Sequence, residues 1–210
     1  MLSLKIGGRW EPQDFIDILR ATESFYYKLA QRRLHRVGFP FWLEEEYSVW
    51  ARMRFGEGSF ESSLDYMNER LLERARYETP SNKRISIARI HYASPGGIDL
   101  LGIGKVFETL ADSIGRMKTY FDEAHLRSER DTQASLDTEL KRIAIEKERE
   151  SLQALKIQNA QEALQLLDAH PDMRDALVPL LVRDQDVIAS RLAERKLISA
   201  KVVPGKREQD

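Results

Sequence analysis

The stretch Ile85-Ser86-Ile87-Ala88-Arg89-Ile90-His91-Tyr92, followed by Ser94-Pro95-Gly96-Gly97 and then by Val106-Phe107, decides how the chain is read. Ile85, Ile87, Ile90 and Tyr92 form a β-branched and aromatic run, which predicts a strand, and its apolar weight predicts an inner one. Ser94 to Gly97 carries the residues of a tight turn, and a left-handed backbone is expected at Gly97, where only glycine avoids strain. Asp99 then stands where a helix N-cap belongs, ahead of the stripe Val106, Phe107, Leu110, Ile114, Met117 and Phe121. Burying six such side chains contributes on the order of 10 kcal/mol before chain entropy is set against it, so this helix belongs to the core. A strand, a turn and a core helix in that order imply a domain that mixes sheet and helix.

Towards the amino terminus, Leu2, Leu4 and Ile6 alternate with Ser3 and Lys5, the pattern of a half-buried strand, and Gly7-Gly8 closes it. Pro12 suits a first helical turn, with Glu11, Asp14 and Asp17 near the positive end of the dipole. Phe15, Ile18, Leu19, Phe25, Tyr26, Leu29 and Leu34 recur at helical spacing until Pro40. Tyr47, Val49, Ala51, Met53 and Phe55 alternate and predict a strand with one wet face. Leu64, Met67, Leu71 and Ala75 predict a second amphipathic helix, separated from Ile85 by Pro80 and Asn82.

Towards the carboxyl terminus the chain changes character, because no glycine occurs between Gly115 and Gly205. Residues 136 to 167 read as one long helix. Leu136, Leu140 and Ile143 begin a heptad-like seam that fails at Lys147 and Glu150, and Leu152, Leu155, Leu164 and Leu167 resume it on a rotated face. His170-Pro171-Asp172 starts another helix with Leu177, Leu180, Leu181, Ile188 and Leu192 inside, and Pro179 is expected to kink or divide it. Ile198 to Val203 predicts a short strand before Pro204-Gly205 and a charged tail. The expected architecture is α+β: a domain over residues 1–121 with a small mixed sheet and covering helices, then a helical extension over 122–210 that forms a coiled coil or a helical hairpin.

Composition narrows the chemistry. The 210 residues contain no cysteine, which removes disulfides, thiol nucleophiles and Cys-ligated metal centres. A net charge of −1 provides no global field for nucleic acid or an anionic membrane. No signal-peptide pattern stands at the amino terminus, and the most apolar stretch, 98–115, is interrupted by Asp99, Lys105, Glu108 and Asp112, so a cytoplasmic protein with no membrane span is expected. His35, His91, His125 and His170 are scattered, with no pair at metal-ligand spacing, and neither a metal nor a cofactor is expected.

Two local patterns invite a ligand. His91, Ser94, Gly96, Gly97 and Lys105 surround a strand-to-helix passage where an anion could meet helix amides. Yet Asp99 and Val106 occupy positions where a P-loop needs glycine and Ser or Thr, and Phe107 stands where a dinucleotide fingerprint needs its last glycine. Arg32, Arg33 and Arg36, with Phe39, Phe41 and Trp42 behind them, resemble a stacking site for single-stranded nucleic acid, although cations at a helix end also suit its dipole. Asp122-Glu123-Ala124-His125 spells a helicase motif without the strand or the P-loop such a motif serves.

The reading that results is a nonenzymatic, self-associating scaffold or adaptor. Leu136, Leu140, Ile143, Leu152, Leu155, Leu164 and Leu167 are expected to face a second copy in a dimer, and the α+β half to engage a further protein. A small-anion enzyme or sensor at Ser94–Lys105 and a nucleic-acid binder at Arg32–Arg36 are the alternatives.

Overall fold

Alternation at Leu2, Leu4 and Ile6 puts all three on one face of β1 (Leu2–Ile6), where helices cover them completely. The computed structural model describes residues 1–34, 60–92, 95–131, 138–165 and 171–204. β1 is the inner strand of a four-stranded sheet in the order β2-β3-β1-β4, with β2 at Ser86–His91, β3 at Gly96–Leu101 and β4 at Leu197–Val202. Every pairing among the described residues is antiparallel, where a mixed sheet is expected from sequence. The short connection around Pro95 allows only a reversal between β2 and β3, and both β3 and β4 run against the central β1.

Asp99 lies within β3 and not at a helix start, because Ile98 and Leu100 both turn into the core and hold the residue between them in the strand. Gly97, paired with Lys5, has an ordinary extended backbone; among the described glycines only Gly8 has positive φ. Among the described residues β2 pairs with β3 alone and stands last in the sheet, so the inner position expected for Ile85–Tyr92 is not seen among them. The strand expected at Tyr47–Phe55 lies outside the described residues.

Five α-helices accompany the sheet among the described residues: α1 (Pro12–Leu34), α2 (Phe60–Glu78), α3 (Gly104–Asp131), α4 (Thr138–Gln165) and α5 (Pro171–Ala193). α3 lies against β4, and α5 lies against α1 and α4. Buried residues form one cluster with members on both sides of residue 121, among them Leu4, Phe25, Phe107, Leu164, Leu181 and Leu197. α5 is not divided at Pro179, and the residues beyond it carry Leu180, Leu181, Ile188 and Leu192 into that cluster.

Ionic contacts at two levels lock α1 to α5. The Lys28 ammonium is buried between the helices and donates to Asp184 Oδ2 at 2.6 Å and to the Leu180 carbonyl at 3.0 Å. Burial pushes the lysine down and the aspartate up, each resisted by the other's charge. At the other end Asp14 caps α1 by accepting from the Glu11 N–H at 2.9 Å, and it also receives Arg191 at 3.0 Å and Lys196 at 2.8 Å. The chain reaches Lys196 through a helix C-cap. Arg195 takes φ 56°, while the N–H groups of Arg195 and Lys196 bond back to the carbonyls of Leu192 and Arg191.

Removing one member of a buried pair strands the other charge. Lys28→Met is therefore expected to cost about 3–5 kcal/mol in urea unfolding, and Lys28→Met with Asp184→Leu to recover most of that loss. A double variant as unstable as the single one would contradict the pairing. For Asp14, the Glu11 N–H first and the Lys196 bond next, with the charges of Arg191 and Lys196 behind them, outweigh burial and hold the carboxyl below its ordinary 3.8. A depressed carboxyl stabilises the fold above its unfolded pKa and loses that effect as pH falls. Asp14→Asn should cost about 1–2 kcal/mol at pH 7, with the deficit shrinking as pH drops below 3.8.

Candidate interaction surface at the open sheet edge

An edge strand offers unpaired backbone donors and acceptors, and proteins usually protect such an edge with lysine, proline or a covering segment. All six residues of β2 are exposed. Register places Ile87 opposite Leu100 and Ile90 opposite Ile98, so the two isoleucines extend the row that forms the core. Leu100 and Ile98 are buried, whereas Ile87 is 51% and Ile90 48% exposed. A bulge between Ile87 and Arg89 lets two residues three apart face the same way. Tyr92, also exposed, continues this apolar surface to Phe15 of α1 with ring centroids 6.1 Å apart, and Phe15 meets Trp10 at 4.9 Å.

The opposite face of β2 is polar. Arg89 donates from Nε and Nη2 to Asp99 Oδ2 at 3.0 and 2.7 Å. Burial alone would raise the Asp99 carboxyl, but bonds from the Ser3 hydroxyl and Arg89, together with the arginine charge, hold it below its ordinary range. His91 is exposed on this face, opposite Gly97.

The residues expected at an anion site do not converge. Gly96 and Gly97 are spent in pairing with β1, and Lys105 is exposed and bonded to Glu108 at 3.0 Å; Ser94 lies outside the described residues. Gly102 is required by packing, because a Cβ there would stand 2.8 Å from both the Phe107 and Tyr26 rings. Tyr26 uses that closeness to accept the Ile103 N–H at 2.9 Å. Arg32 and Arg33 lie on the last turn of α1 with side chains outside the described set, as is Arg36 altogether. Asp122–His125 lies within α3.

The residues expected to meet a second copy separate into two groups. Leu164 is 1% exposed in the core of its own chain and offers a partner no surface, while Leu155 is half-buried against the same core. The cause is a polar seam that draws the carboxyl half of α4 inward. Buried Asn159 accepts from Arg116 at 2.6 Å and donates to Gln185 at 3.0 Å, and Gln185 donates to the Lys156 carbonyl. Residues 143–150 are all exposed, with Ile143 at 46% and Ile145 at 54%, and Leu152 is intermediate. Leu136 and Leu167, and the side chain of Leu140, lie outside the described residues.

A cleft of about 440 Å³ opens over the Lys28–Asp184 pair, lined by Asp17, Arg20, Ser24, Asn68, Arg183 and Asp184. Among the described residues no three His, Asp or Glu side chains gather as metal ligands, and no helix is long and apolar enough to cross a membrane. No protein-family model, curated protein or solved structure matches the chain.

The two glycines separate by environment. Gly97→Ala, whose Cβ would meet only the Leu4 carbonyl at 3.5 Å, should shift stability by about 1 kcal/mol or less. Gly102→Ala should cost about 1–3 kcal/mol by overpacking. Thermal melts that rank the two in the reverse order would contradict the described β3 geometry.

Proposed function

We propose that this chain is a nonenzymatic, self-associating interaction module of the scaffold or adaptor kind. The observation that carries the reading is the edge of β2, where the apolar core row runs on into solvent at Ile87 and Ile90 on a strand with no outer neighbour among the described residues. Unpaired edges with apolar side chains recruit strands from other chains. The amino-terminal half of α4 adds a second exposed apolar element in Ile143 and Ile145, and the sequence seam Leu136-Leu140-Ile143 leads into it as the alternative, coiled-coil or hairpin, surface for a second copy.

Both surfaces are exposed, while the buried hydrophobic cluster of the described residues is built within one chain. Association is therefore of folded protomers, and mass should depend on concentration without loss of helix signal. Sedimentation equilibrium is expected to give a weight-average mass that rises above 24.3 kDa as concentration increases through the micromolar range. A constant 24.3 kDa at every concentration would contradict the reading.

A further inference from the structure

We propose that β2 pairs antiparallel with β2 of a second copy, about a two-fold axis between Ala88 and Arg89, so that two four-stranded sheets become one continuous sheet. The inference rests on the self-association reading and names its surface. In this register Ile87 of each protomer stands opposite Ile90 of the other, which makes two cross-strand isoleucine pairs on the face that already carries Ile98 and Leu100. The core row then continues across the junction instead of ending in water.

The strand is self-complementary in two further respects. Its bulge leaves one residue too many against β3, but two copies of β2 carry the same extra residue, so they match each other's length between Ile87 and Ile90. Its only ionisable side chains are Arg89 and His91. The axis brings the two Arg89 side chains near one another, and each is already neutralised by its own Asp99 at 2.7 Å, so their approach does not set two bare cations together. His91 falls opposite Ser86, which carries no charge.

The other edge of the sheet is built differently. β4 presents Lys201 and is followed by Pro204, two features that deter strand addition, whereas β2 contains neither lysine nor proline, and its bulge, which deters a straight strand, is matched by the same bulge in a second copy. A symmetric pairing of β2 closes the exposed edge and leaves the protected one outside.

The natural chain lacks cysteine, so introduced thiols report the register alone. Ile87→Cys and Ile90→Cys, made separately, mixed dilute, concentrated and oxidised, should cross-link to each other, while each variant alone should stay uncross-linked. Cross-linking of either variant with itself, or none in the mixture at concentrations where light scattering shows dimers, would overturn the register and the strand pairing. Ile87→Lys with Ile90→Lys, checked for an unchanged circular dichroism melt, should weaken the dimer about tenfold or more, and Ile143→Glu with Ile145→Glu should not. The reverse result would overturn strand pairing and leave self-association through α4 standing. A wild-type chain that never exceeds monomer mass would overturn both, and would leave the β2 edge to an extended peptide of another protein.

Discussion

Pairing of β1 with β4 brings residues 2–6 beside residues 197–202, and most of the remaining architecture depends on that long-range contact. With β4 on one flank and β3 on the other, β1 becomes an inner strand, and its three apolar side chains are sealed beneath the helices. The same placement leaves β2 as the other neighbour of β3, and among the described residues β2 has no second neighbour. An apolar row begun at Leu4 and continued at Ile98 therefore runs out at Ile90 on an uncovered edge.

The return is held by charge as well as by the ladder. Asp14 receives Arg191 and Lys196 just where α5 hands over to β4, so the cap of the first helix is also the clasp on the last strand. Deeper along the same two helices Lys28 and Asp184 meet in the core. Such a pair adds little net stability compared with apolar residues of similar size, but it penalises any sliding of α1 against α5 that would leave one charge buried alone. The ends of the chain are thus tied at a fixed register, and the sheet edge they leave open is a fixed one.

Much of this was legible in the sequence because it depends on local spacing. The stripes of α1 and α3, the alternation of β1, and the short final strand all survive folding, since each is written in residues a few positions apart. What depended on distant partners was not legible. Ile85–Tyr92 reads as an inner strand because isoleucine content reports strand preference and cannot report the number of neighbours. Nothing near Lys28 in the sequence marks it as buried, because its partner Asp184 lies 156 residues away. Leu164 reads as part of an exposed seam, but Asn159 and Gln185 turn that half of α4 inward through a polar contact no apolar pattern records. Asp99 resembles a cap because a glycine-rich segment and a helix follow it, and only the buried Ile98 and Leu100 on either side show that the strand has not ended there.

Backbone amide exchange followed at two protein concentrations tests the central claim most directly, because it reads the edge itself. Slow exchange is expected in β1 and β3 at both concentrations, and exchange in Ser86–His91 that is fast when dilute and slows markedly when concentrated. Unchanged exchange in Ser86–His91, with new protection appearing at residues 143–150 instead, would contradict it.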